Sequence, residues 1–271
     1  MTITETRPET RPFVEAIIRY TDRASDGAML NSQEHDSSTF KLEPHKMRVY
    51  NARAHGPKLS FDRNGFTILK HETDIDFRNK ADVDARYYPE AASMVRELTG
   101  ASEVLVFLDV IRSETRGEGA EPAHNAHVDF NEQSIHRWVK LLRPESADAL
   151  LKKRLVNINL WRPIKPVERM PLAICDATSV ERRDLLNIVI GGRDPVDGYG
   201  GFAGFNLAYN PEHRWYYYPL MQPGEVMAFR LFDSDASSPH LTAHTAFEDP
   251  SSAPNASKRI SHEIRTIAVL D

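Results

Sequence analysis

Two short stretches constrain what this 271-residue chain can fold into: His127-Val128-Asp129, and His244 with Ala246-Phe247-Glu248-Asp249-Pro250 close behind it. If the two histidines and Asp129 hold one cation, the triplet must be extended, because residues i and i+2 of a strand face the same side. The third ligand lies 115 positions beyond Asp129 (244 − 129 = 115), so it must arrive on a strand from across the molecule, with room for several strands between. Two imidazoles and one carboxylate occupy one face of an iron(II) octahedron and leave the other open for a cosubstrate and dioxygen. With 11 histidines in the chain, a single His-x-Asp is expected about once by chance, so its weight depends on its surroundings.

Those surroundings read as mainly β with flanking helices. Met47–Arg53 is strand-like, and Phe61–Leu69 reads as two short strands about the Asn64-Gly65 turn. Tyr88-Pro89-Glu90 opens a helix that Gly100 stops. Glu103–Arg112 is a nearly continuous apolar run, as a buried central strand would be. After the Gly117–Ala120 loop come the triplet and helical text over 132–142 and 146–154. Val156–Arg162 then alternates as a half-buried strand, and Pro171–Asp176, Phe202–Tyr209, Trp215–Leu220, Glu225–Phe232 and Ile260–Leu270 read as further strands, with turns at Asn210-Pro211 and Pro223-Gly224. A barrel or sandwich with helices outside accounts for this pattern. Residues 1–13 read as a loose arm and 30–46 as a surface loop. With no repeat and no linker, one domain over 1–271 is expected.

The net charge of −5, with Lys and Arg scattered, argues against a nucleic-acid surface. No apolar run approaches a membrane span, and the first eight residues lack a signal-peptide layout. The single Cys175 excludes an internal disulfide, so a reducing, cytoplasmic setting is expected, which also suits a ferrous ion.

Other histidines compete as ligands. His124 would replace His127 but has no carboxylate two positions on, and His240 would replace His244. His213 reads as a turn or surface residue; His35, His45, His55 and His71 sit in weakly patterned text. A zinc hydrolase would use the same ligands but needs a general base that the sequence does not identify. If the cosubstrate is 2-oxoglutarate, its far carboxylate needs a cation, and arginine binds carboxylates as a fork. Arg259 with Ser261, then Arg265, share one face of the last strand; Arg162 is a third candidate. The Trp215–Tyr218 aromatics, Tyr217 among them, and Phe130 with Trp138 are candidates to line or cover the site.

Read together, Asn159–Ile164, Pro171–Ala177, His213–Tyr217, Phe232–Ser234 and His244–Pro250 stand in an order that resembles the hydroxylase/desaturase family of fungal and bacterial natural-product gene clusters. Asn51–Arg53 and Asp62–Phe66 extend the resemblance over roughly residues 45 to 270. It implies a double-stranded β-helix (jelly-roll) core, iron(II), 2-oxoglutarate and dioxygen as cofactor and cosubstrates, and a small-molecule substrate. Carried over residue by residue, it implies His127, Asp129 and His244 as metal ligands and Arg259, Ser261 and Arg265 as the closing Arg-x-Ser-x-x-x-Arg. Ile260-Ser261-His262-Glu263 departs from the family's usual Glu-Ser-Ile-Glu-like text, which leaves open which arginine holds the cosubstrate. A metal-dependent lyase or isomerase and a catalytically silent binding barrel are the competing readings. Substrate identity, the kind of C–H oxidation and oligomeric state are not legible in the sequence.

Overall fold

The computed structural model describes residues 11–31, 38–55, 58–191, 202–237 and 241–271. Most of the expected N-terminal arm, His35 and His240 lie outside the described residues. In chain order the described strands are β1 (Phe13–Thr21), β2 (Ala28–Asn31), β3 (Leu42–Asn51), β4 (Phe66–Lys70), β5 (Glu103–Ser113), β6 (His127–Val128) and β7 (Arg154–Pro163). There follow β8 (Leu172–Cys175), β9 (Leu185–Gly191), β10 (Phe202–Leu207), β11 (Trp215–Tyr217), β12 (Glu225–Asp233), β13 (His244–Ala246) and β14 (Ile260–Leu270). They build a nine-stranded sheet, β1-β3-β11-β8-β13-β6-β10-β9-β2, and a five-stranded sheet, β4-β12-β7-β14-β5.

The two sheets share one core. Val128, Ile174 and Trp215 of the larger sheet cluster with Trp161, Met227 and Phe229 of the smaller. Alternation decides which residues enter it. On β7, Asn157, Asn159 and Trp161 point inward; Ile158 and Leu160 point outward, where Val95 and Met94 of the helix Tyr88–Thr99 cover them. That helix begins with proline in its first turn and ends at Gly100, whose φ of 72° is left-handed, as its sequence signals require.

Several elements differ from the sequence reading, each for a local reason. Phe61–Asn64 is one helical turn, not a strand: Ser60 caps it by accepting from the Arg63 N–H, and Gly65 ends it at φ 82°. Asn-Gly is a hairpin signal, but glycine past a capped turn serves a helix C-terminus equally well. β5 lies at the edge of its sheet rather than the centre. Its apolar run is explained by packing on both faces: Val104 joins the cluster under the helix Tyr88–Thr99, while Leu105 and Phe107 meet Ile135, Trp138 and Val139 of the helix Glu132–Leu142. Phe13 opens β1 instead of closing an arm, and β3 begins at Leu42, inside the expected loop, because the two strands pair along their whole length from Phe13↔Tyr50 to Thr21↔Leu42. Of the helical text at 146–154, only Ala147–Leu150 is helical, since Arg154 already belongs to β7. No helix among the described residues is long and apolar enough to cross a membrane.

An ion cluster ties the two sheets together. Glu225, at the start of β12 after the Pro223-Gly224 turn, receives both ends of the Arg53 guanidinium at 3.0 and 2.6 Å and the Lys70 ammonium at 2.6 Å. Its side chain is 4% exposed. Burial alone would raise its pKa, but the two cations outweigh that and bring it down to about 2. A folded-state pKa below the unfolded value gives stability that is present above about pH 4.3 and lost as pH falls toward 2. Glu225→Gln should therefore be less stable than the parent by roughly 2–3 kcal/mol above about pH 4.3, and the gap should close on acidification. Chemical denaturation of both proteins across this range checks it; a constant gap would contradict the assignment.

Candidate active site

The chain brings His127, Asp129 and His244 together by strand register. β6 pairs with β13 so that His127 and His244 are direct cross-strand neighbours, with ring centroids 4.3 Å apart. Asp129, two residues after His127, places Oδ1 3.3 Å from His127 Nε2 and 3.7 Å from His244 Nε2. One ligand atom from each of the three lies within 4.8 Å of the others, the spacing of groups that share a metal ion. The sequence separation of 115 residues is spanned by β7 to β12, as the long interval required.

The surrounding contacts fix which atoms face inward. His127 Nδ1 lies 2.8 Å from the carbonyl oxygen of Asn125, which only accepts, so Nδ1 carries the proton and Nε2 presents a lone pair. Asp129 Oδ2 accepts from Arg265 Nε at 2.7 Å and from Asn159 Nδ2 at 2.9 Å. Both donors come from the opposite sheet, where Arg265 and Asn159 are themselves cross-strand partners. With Oδ2 engaged, Oδ1 is left for the imidazoles. Burial opposes ionisation of Asp129, but the adjoining Arg265 guanidinium outweighs it and holds the carboxyl well below its usual range. Burial, then the neighbouring His127, push His244 well below the usual histidine range, so its ring is neutral. An ionised carboxylate and a neutral imidazole are the forms that bind metal. Lone pairs facing one another at these distances repel unless a cation lies between them, so the donor set fits a ferrous ion.

The other candidates separate clearly. Arg265 is committed to Asp129 and, through Nη2 at 2.6 Å, to Glu263. Arg259 is fully enclosed: Nη1 donates to the Met170 carbonyl at 2.6 Å, the guanidinium lies 5.4 Å from the Trp161 ring, and Nε has no partner. Burial first, then the Arg112 cation, bring its pKa down to about 10, as expected of an arginine short of counter-charge. Ser261, on the same face, has a buried hydroxyl with no partner. A cavity of about 10 Å³ joins Arg259 and Trp161 to both histidines, space for at most one water. A carboxylate reaches Arg259 only if side chains around this cavity part.

Arg162 does not belong to the site. It alternates with Trp161 and so points out of the barrel, where it donates to the carbonyls of His71 and Pro223 and lies over the rings of Phe77 and Tyr87. His124 is not drawn into the ligand group. His213 is buried rather than on the surface, between Asp184 and Tyr20. Tyr217 packs edge-on against Phe247 and lines a separate cavity of about 710 Å³. Phe130 and Trp138 do line a cavity of about 300 Å³ that opens beside His127 and Asp129.

Two contributors escaped the sequence reading. Asn159 was legible only as one of two asparagines on the inward face of β7. Gly204, on β10, leaves room for the triplet's backbone: a Cβ there would overlap the carbonyl oxygens of Val128 and Asp129.

Residues 18–269 match the family described as oxidoreductase/YMDC permease-like domain. The chain belongs to this family. Among curated relatives of this oxidoreductase, the hydroxylase/desaturase efuI of Hormonema carpetanum is 29% identical over 249 residues, covering 82% of this chain and 84% of the relative. The Fe(II)/2-oxoglutarate-dependent dioxygenase nvfI of Aspergillus novofumigatus is 27% identical over 239 residues, 85% of each. The solved structure of the iron and alpha-ketoglutarate-dependent endoperoxidase NvfI superposes with a TM-score of 0.86 at 24% identity, over 96% of this chain and 99% of that one. The fold of this oxidoreductase is accordingly the double-stranded β-helix.

The close approach at Gly204 yields a test. Gly204→Ala should push β10 off the triplet, costing about 1–3 kcal/mol of stability and weakening ferrous-ion binding at least about tenfold. Thermal melting and anaerobic iron titration check both; unchanged iron affinity would show that the triplet does not depend on this contact.

Proposed function

We propose that this chain is an Fe(II)/2-oxoglutarate-dependent oxygenase that hydroxylates, desaturates or otherwise oxidises a C–H bond of a small-molecule natural product. His127, Asp129 and His244 are the iron ligands, and Arg259 with Ser261 anchors the far carboxylate of 2-oxoglutarate. The observation that carries this reading is the convergence of three metal-competent ligand atoms within 4.8 Å, beside a buried arginine and serine that both keep an unpartnered donor. Residues 1–271 act as one oxygenase domain, in a reducing, cytoplasmic setting that suits the unpaired Cys175.

Iron(II), when bound with 2-oxoglutarate and dioxygen, supplies the oxidising power, as the cosubstrate is decarboxylated to succinate. The protein orients and protects. Asp129 contributes Oδ1 alone because Arg265 and Asn159 hold Oδ2. Its presence at the ligand position favours oxygenation over halogenation, which needs that position for a halide. His127 is locked in the productive tautomer by the Asn125 carbonyl. Arg259 supplies a guanidinium with no carboxylate partner among the described residues, and Ser261 a second donor on the same side. Phe130 and Trp138 exclude water from one wall of the cavity.

Anaerobic addition of iron(II) and 2-oxoglutarate should produce a visible charge-transfer band, and admitting air should yield succinate. His127→Ala should lose both. Arg259→Met should keep ferrous binding but raise the 2-oxoglutarate requirement about tenfold or more, the cost of a lost charge-assisted fork. Arg265→Met should instead destabilise the fold by about 3–5 kcal/mol by stranding the Asp129 carboxylate. Iron binding without any 2-oxoglutarate-dependent succinate would overturn the oxygenase reading in favour of a lyase or isomerase.

A further inference from the structure

We propose that the substrate is an apolar molecule bearing one anionic oxygen group, such as a carboxylate or enolate, and that Arg112 holds this group where the substrate cavity meets the iron site. This rests on the oxygenase reading and adds the substrate's chemical class to it.

The cavity beside His127 has a volume of about 300 Å³. Leu108, Phe130, Trp138, Ile188, Ile190 and Phe202 give it an apolar wall. Its polar groups are one-sided. Among the described residues the only lining carboxylate is Asp129, already paired with Arg265. An amine or other cation entering the cavity would find no free lining anion among the described residues. The Trp138 indole N–H, which can only donate, is buried without a partner. The lining therefore complements oxygen acceptors.

Arg112 is the charged part of that complement. Among the described residues its guanidinium makes one hydrogen bond, Nη1 to the Glu121 carbonyl at 3.2 Å, and no ion pair. It borders both the large cavity and the small one that holds Arg259. Its inward direction is set by an irregularity in β5. Arg265 faces Leu108 while Thr266 faces Val106, so Phe107 is an extra residue in the strand. Before this bulge odd-numbered residues face the core, as Leu105 does; beyond it Leu108 and Arg112 face inward, while Asp109 turns outward to meet Tyr88 and His262. Bulges re-aim side chains next to active sites, and this one exchanges an outward for an inward guanidinium. Two arginines then border one small cavity, whose own carboxylate, Glu263, is paired with Arg265. One anion is the far carboxylate of 2-oxoglutarate, on Arg259; a second, on the substrate, serves Arg112, whose planar fork accepts a carboxylate bidentately.

The test uses the protein loaded anaerobically with iron(II) and saturating 2-oxoglutarate, with three probes on one skeleton: 2-naphthoate, 2-naphthamide and 2-naphthylmethylammonium. Binding is read by calorimetry and by quenching of tryptophan fluorescence, since Trp138 lines the cavity. The acid should bind about tenfold or more tighter than the amide, and the ammonium least. Arg112→Met should abolish the preference for the acid while still binding the amide and giving the charge-transfer band; Arg112→Lys should retain part of it. Equal binding of all three probes, binding of none, or a preference that survives Arg112→Met would overturn the proposal. So would loss of 2-oxoglutarate binding in Arg112→Met with acid preference intact, which would assign Arg112 to the cosubstrate. Failure of the oxygenase reading would show earlier and differently, as no charge-transfer band in the parent protein.

Discussion

The Asp129 carboxylate is the point on which the structure turns. Its two oxygens have different work: Oδ2 is held from the smaller sheet by Arg265 and Asn159, and Oδ1 faces two imidazoles of the larger sheet. A buried carboxylate with one oxygen neutralised and the other aimed at lone pairs stays ionised only because a guanidinium touches it. The same contact joins the sheets directly across the barrel. The proposed metal site and the seating of one sheet on the other thus share a single interaction, and the register of β6 against β13 brings the second imidazole beside the first.

The arginines divide the remaining tasks by face and partner rather than by sequence motif. Arg265 braces a ligand, Arg162 pins the turn after β4 from outside the barrel, and Arg53 clamps the start of β12 through Glu225. Arg259 and Arg112 are the inward cations without an ion pair among the described residues. A buried guanidinium without a carboxylate partner, as Arg259 is, is costly to keep in a resting protein unless an anionic ligand repays it, while Arg112 is half-buried where the two cavities meet. That is why the two are assigned to ligands and the others to the frame.

Much of this was legible in the sequence, for identifiable reasons. His127 and Asp129 are near neighbours whose common face follows from strand geometry alone, and the strand text from β7 to β14 is set off by turn signals such as Asn210-Pro211 and Pro223-Gly224. What was not legible depends on partners far away in the chain. Arg259 and Arg265 share a face and differ only in what lies opposite, Met170 for one and Asp129 for the other. Arg162 reads like its neighbours until alternation is anchored by Trp161 in the core. β5 reads as central because helices, not strands, cover its faces. Asn64-Gly65 is ambiguous between hairpin and helix end until the Ser60 cap is seen. Gly204 has no sequence signal at all, since its purpose is the backbone that passes over it.

The most direct test of the central claim is X-ray absorption spectroscopy of the protein loaded anaerobically with one equivalent of iron(II), alongside His244→Ala. The account predicts a single six-coordinate ferrous ion whose scattering contains two imidazoles in the parent and one in the variant. An all-oxygen shell, or an imidazole count that does not fall on removing His244, would contradict it.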